Sequence, residues 1–172
     1  GLSLFNKGYN IKQVWSKQLT NAKSLASKLN STATNNLKNI EEADLYIVSV
    51  KDNMLEFTIK QLKVNNIVHT SGTIGLEIFN SKIKNYGVFY PLQTFNKKIV
   101  LDLITTPICV EASNDKFQKN LLKIGKDVSK KVIKINSEQR RKLHLAAVFA
   151  CNFTNHMFTI ADKILLQNNI DF

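Results

Sequence analysis

Short apolar runs separated by helix-length amphipathic stretches are the strongest constraint on how this chain folds. Leu45 to Val50 reads Leu-Tyr-Ile-Val-Ser-Val, as expected of a strand buried on both faces of a parallel sheet. Ile11 to Trp15, Ile67 to His69, Gly87 to Tyr90, Pro107 to Glu111 and Lys131 to Ile135 are further strand candidates. Between them the spacing predicts a helix capped by Thr20 and running to Leu29, with Leu25, Ala26 and Leu29 facing inward. Further helices are predicted over 53–62, 74–79 and 116–126. Leu2, Leu4 and Phe5 read as the last turns of a helix, closed by Gly8 in the left-handed conformation. Strands alternating with helices give an α/β fold with a largely parallel sheet over residues 1–136. From Ser137, the expected N-cap, the pattern becomes one long helix to about Gln167 and opens a second, helical domain over 137–172.

The charge invites a polyanionic partner: 24 Lys+Arg stand against 13 Asp+Glu, a net +11 over 172 residues. Its texture argues otherwise. All the basic residues except Arg140 and Arg141 are Lys, and the densest stretch, Lys116 to Lys142, holds Phe117 as its only aromatic. Nucleic-acid readers lean on Arg and on interleaved aromatics, so a solvated face is expected and no nucleic acid. Two Cys in different segments, Cys109 and Cys151, make neither a disulfide framework nor a paired metal motif. Reduced thiols in a cytoplasmic protein are expected, with no metal and no signal peptide. Between Leu143 and Ala161 no residue is charged if both His are neutral. Yet His144, Asn152, Thr154, Asn155, His156 and Thr159 would be expensive in lipid. A helix buried against protein is expected there, and no membrane span.

That helix gathers its polar groups. With His144 at the origin, Ser137 and Asn155 fall at about 20°, Arg141 and Thr159 at about 60°, Asn152 at about 80° and Arg140 at about −40°. Leu145, Phe149, Phe153, Met157 and Phe158 mostly fill the remaining arc. Such a stripe faces either a ligand or partners in an ordinary polar seam between helices. Other polar clusters leave strand ends: Ser16-Lys17, Val50-Lys51-Asp52 and His69-Thr70-Ser71-Gly72. Strand ends leading into helices line the ligand crevice of open α/β sheets and meet anionic groups there. Ser16 and Lys17, with no acid nearby, suit a ribose 2′-phosphate and so favour NADP over NAD. The segment Tyr86 to Phe95, stopped as a strand by Pro91, is either an ordinary edge turn or a site wall offering Gln93 and Thr94.

His69-Thr70-Ser71-Gly72, Tyr90-Pro91-Leu92-Gln93-Thr94-Phe95 and His144-Leu145-Ala146-Ala147-Val148-Phe149-Ala150-Cys151-Asn152-Phe153 occur in that order. They resemble an uncharacterised bacterial family with a Rossmann-like domain followed by a helical domain of unknown function. It lies within the wider group of 6-phosphogluconate dehydrogenase and pyrroline-5-carboxylate reductase. The resemblance covers essentially the whole chain and implies an NAD(P)-dependent oxidoreductase whose helical domain forms a homodimer. That domain would be the start of an all-α domain like the C-terminal one of 6-phosphogluconate dehydrogenase. The wider group often places a catalytic Lys four residues before an Asn on the first long helix; here Ala146 follows Lys142 and His144 follows Arg140 at that spacing. His144 is therefore the candidate general acid/base, supported by Asn152 and Asn155. Ser16, Lys17, Val50, Lys51, Asp52, His69, Ser71 and Gly72 are expected around the cofactor, NADP or NAD. Ser71, Gln93, Thr94 and Arg140 are expected around a small carbonyl, imine or hydroxy substrate. The family's Gly-rich phosphate loop and first strand, expected before Gly1, and its later helices are not in the sequence, so an internal fragment is expected. The alternative is a non-catalytic nucleotide-binding or dimerisation protein on the same fold.

Overall fold

The computed structural model describes residues 1–95 and 101–171; Phe172, the end of the expected helical segment, lies outside them. One sheet orders its strands β3 (Tyr46–Val48), β4 (Ile67–His69), β5 (Tyr86–Pro91), β6 (Ile108–Ala112) and β7 (Val132–Lys134). Its pairings are parallel except that of β5 with β6. Two earlier strands, β1 (Gln13–Trp15) and β2 (Thr32–Thr34), form a separate parallel pair. A cleft of about 360 Å³ separates the two sheets, with Val14 and Trp15 on one wall and Ile47 and Val50 on the other.

Side chains alternate across each strand, and this alternation builds the core. Val68, Phe89, Ile108 and Val110 pack on one face against Leu4 of α1 (Leu2–Phe5) and Phe117, Leu121 and Val128 of α4 (Asp115–Val128). Val48 and Ile67 pack on Leu55 and Ile59 of α3 (Asp52–Gln61), with Phe79. Val88, Tyr90 and Cys109 form a third cluster that meets Leu143. Tyr90 therefore emerges on the face opposite Phe89, where the C-terminal helix runs.

Several local expectations change. The strand at 45–50 is shorter, and Ile47 is 39% exposed because β3 is a sheet edge facing the cleft. Thr20 is not a cap: the N-cap is Gln18, two residues earlier, and the buried residues of α2 (Leu19–Ala26) are Ala22 and Ala26, with Leu25 exposed. Residues 74–79 make only a single 3₁₀ turn at Leu76–Ile78. The strand β2 has no apolar run to announce it. Gly8 does take a left-handed φ of 84°.

At the second boundary Asn136, not Ser137, is the N-cap. Its side chain accepts the Gln139 N–H at 2.9 Å, and Gln139 Oε1 accepts the Asn136 N–H at 3.1 Å, a reciprocal capping box. The long helix comprises α5 (Ser137–Ala147), a π-helical turn (Val148–Phe153) and α6 (Thr154–Leu166). Its apolar arc is exposed rather than buried, with Phe149 at 59% and Met157 at 62%, since nothing among the described residues covers it. Among the described residues no helix is long and apolar enough to cross a membrane.

Candidate functional site

The site forms where α5 crosses the ends of β4 and β5. Tyr90 Oη lies 2.8 Å from His144 Nδ1, with the rings edge to face at a centroid separation of 5.9 Å. Gly72 fits beneath both: a Cβ there would stand 2.7 Å from His144 Nδ1 and 2.9 Å from Tyr90 Cζ. Only a residue without a side chain lets the loop approach this closely. Three separate sequence clusters thus converge. Burial raises the Tyr90 pKa above the usual phenol value, so its hydroxyl keeps its proton.

The loop beneath is fixed by its own polar groups. Ser71 Oγ accepts the N–H groups of Thr73 and Ile74, each at 3.1 Å, and donates to Asp52 Oδ2 at 3.0 Å. Thr73 Oγ1 donates to the same oxygen at 2.6 Å. Asp52 opens α3, where the helix dipole favours a negative charge. Ser71 Oγ and Asp52 Oδ2 are therefore committed to each other and to the loop. His69 is fully buried, accepts the Ser71 N–H at Nδ1 (3.1 Å) and stacks on Phe79. Burial, and then the Arg140 charge, hold its pKa down at about 4, so the ring is neutral near pH 7.

Arg140, expected against substrate, is fully buried. One guanidinium nitrogen pairs with Glu111, and another donates to the Ile74 carbonyl. Gln93 and Thr94 are exposed just past β5, where Gln93 Oε1 accepts the Thr94 N–H at 2.9 Å. Asn152 and Asn155 are exposed and lie about 12 and 16 Å along the helix from His144. The intervening π turn adds roughly one residue per turn and rotates the rest of the helix by about 100°, so the expected polar stripe does not continue.

At the other end of the crevice, Ser16 and Lys17 leave β1, and Lys17 is exposed with no ion pair among the described residues. Val50 lines the cleft, and Lys51 is exposed at the start of α3. Thr70 Oγ1 donates to Ser49 Oγ at 3.1 Å, and Ser49 also lines the cleft. Trp15, which lines the cleft, has a buried Nε1–H with no partner among the described residues. The Ser16 hydroxyl and the Lys17 and Lys51 ammonium groups, at strand ends beside the cleft, are donors of the kind that suit a phosphate- and ribose-bearing dinucleotide.

Sequence reasoning passes over two residues here. Tyr90 falls in the segment read as an edge turn or a site wall but is not itself picked out as a site residue, although it stands beside a Pro that ends pairing. Glu111 also reads as strand, although an acid inside the apolar run Ile-Cys-Val-Glu-Ala signals a buried partner.

Comparison with known proteins bears on the fold and the family. The family described as "Domain of unknown function (DUF2520)" matches residues 106–172. A crystal structure described as "putative NADP oxidoreductase BF3122 from Bacteroides fragilis" is 38% identical with a TM-score of 0.88, covering 98% of this chain and 68% of that one. 1-Pyrroline-5-carboxylate reductase from Streptococcus pyogenes is 13% identical with a TM-score of 0.66, over 98% of this chain and 67% of that one. Prephenate dehydrogenase from A. aeolicus, in complex with hydroxyphenyl propionate and NAD+, is 16% identical with a TM-score of 0.63. There 80% of this chain is covered, and only 55% of that one. The last two share the Rossmann-like α/β fold and the helices that follow it. No curated protein matches the chain in sequence.

Proposed function

The chain belongs to the family of the Bacteroides fragilis protein BF3122, and on that footing we propose that it is an NAD(P)-dependent oxidoreductase acting on a small carbonyl, imine or hydroxy compound. The observation that carries this reading is the meeting of Tyr90, His144 and Gly72 at the strand ends. When bound, the nicotinamide supplies the hydride chemistry; the chain's own residues supply binding, orientation and the proton.

Lys17 and Lys51 offer cations to the cofactor's phosphates, and Lys17 beside Ser16 supports a preference for NADP. Tyr90, kept protonated by burial, accepts the His144 Nδ1–H at its oxygen and leaves Nε2 as the acid/base nitrogen. The imidazolium gives its Nε2 proton to the oxygen or nitrogen that becomes basic as a carbonyl or imine is reduced, and is left as the neutral ring; in the opposite direction the neutral Nε2 takes the proton back. Gly72 keeps the ring pair seated on the loop, while Gln93 and Thr94 face the substrate's polar groups. The exposed arc of Phe149, Phe153, Met157 and Phe158 supports a homodimer with a second copy seated on the helix. Asn152 and Asn155 then act within that assembly rather than beside His144 of the same helix. Two free cysteines, Cys109 and Cys151, suit a reducing, cytoplasmic setting. Titrating the full-length protein with NADPH and NADH, read by nicotinamide fluorescence, tests the reading.

A further inference from the structure

The proposed proton transfer needs His144 at one height and one rotation over Tyr90, yet α5 offers few contacts that set either. Its one buried residue is Arg140, and Leu143 packs half-buried against Val88, Tyr90 and Cys109. Arg140 and His144 stand four residues apart and share a helix face.

Glu111 joins this face to the sheet. On β6 it pairs with Val88, two residues from the Tyr90–Cys109 pair. One carboxylate oxygen accepts the Ser137 N–H at 2.9 Å. The other accepts the Ser137 hydroxyl at 2.7 Å and an Arg140 guanidinium nitrogen. Its charge sits at the first turn of α5, the favourable end of the helix dipole. A second Arg140 nitrogen donates to the Ile74 carbonyl, two residues beyond the Gly72 that underlies His144. One ion pair thus ties together the strand beside Tyr90, the loop beneath His144 and the helix that carries His144.

We infer that Glu111 is a positioning residue for the reaction: through Ser137 and Arg140 it fixes the rotation and height of α5 that place His144 Nδ1 on Tyr90 Oη. This rests on the proton-transfer reading of His144. The guanidinium fork spans two partners on two elements, which the point charge of a Lys cannot reproduce.

Heteronuclear NMR of the His144 ring nitrogens in the full-length protein tests it. A Glu111→Leu/Arg140→Met double variant replaces the buried pair with apolar side chains, an exchange that folds often tolerate. The expected result is a folded protein in which the hydrogen-bonded Nδ1 signal is lost and the ring averages its two tautomers, as in Tyr90→Phe. Arg140→Lys is expected to recover only part of the signal. A folded double variant with the native His144 signal overturns the inference. If the double variant does not fold, Glu111→Asp decides: it keeps the charge but draws it back by one methylene. A shifted His144 signal in Glu111→Asp supports the inference, and an unchanged one overturns it. An unchanged signal in Tyr90→Phe overturns the Tyr90–His144 pair itself, and the inference with it.

Discussion

Tyr90 and His144, 54 positions apart in sequence, share a hydrogen bond of 2.8 Å that joins the central sheet to the C-terminal helix. With Gly72 beneath them, there is no room for adjustment. Gly72→Ala puts a methyl 2.7 Å from His144 Nδ1, and such overpacking costs about 1–3 kcal/mol. His144→Ala is expected to lower turnover by about 10²–10⁴-fold, the usual worth of a positioned acid/base, while cofactor affinity stays near native. Steady-state kinetics and thermal melts of both variants check this.

The buried ion pair makes an asymmetric stability prediction. Arg140→Met alone strands the Glu111 carboxylate and is expected to destabilise by about 3–5 kcal/mol, whereas the Glu111→Leu/Arg140→Met double variant is expected to be close to native. Urea titrations of the two variants give the comparison. Equal losses in both would mean that the pair contributes packing alone.

The neutral, buried His69 links stability to pH. Its folded pKa of about 4 lies below the ordinary histidine value of 6.5, so between those values the unfolded chain binds more protons than the folded one. Stability from this residue is full above about pH 6.5, falls as pH drops toward 4 and then levels off, a total of about 3 kcal/mol. His69→Gln is expected to flatten that part of the stability curve in urea titrations at stepped pH.

The exposed helix arc predicts association. Sedimentation of the full-length protein is expected to show a dimer, and Phe149→Asp/Phe153→Asp a folded monomer, because burying two carboxylates in an apolar interface is strongly unfavourable. A monomeric native protein would mean that other residues cover the arc.

Much of the fold is legible in the sequence because it rests on periodicity. The apolar runs at Ile67–His69 and Tyr86–Pro91 and the amphipathic Asp115–Val128 declare themselves locally. Thr32–Thr34 does not, since its pairing with β1 depends on a neighbour rather than on its own composition. The π turn at Val148–Phe153 is equally silent, and it undoes the angular arithmetic that groups Asn152 and Asn155 with His144. His144 and Gly72 can be found because each stands in a motif with chemistry. Arg140 stands out in the sequence but is misplaced by it, because an Arg bound for solvent or substrate and one bound for a buried Glu look alike until Glu111 is brought beside it.

The most direct measurement is cofactor binding to the full-length protein and to Lys17→Glu, by nicotinamide fluorescence. The native protein is expected to bind NADPH more tightly than NADH. Lys17→Glu is expected to lose about tenfold or more for NADPH, the worth of a hydrogen bond to a charged group, with NADH little changed. Tighter native binding of NADH would contradict the role of Lys17, and no binding of either cofactor would contradict the oxidoreductase reading itself.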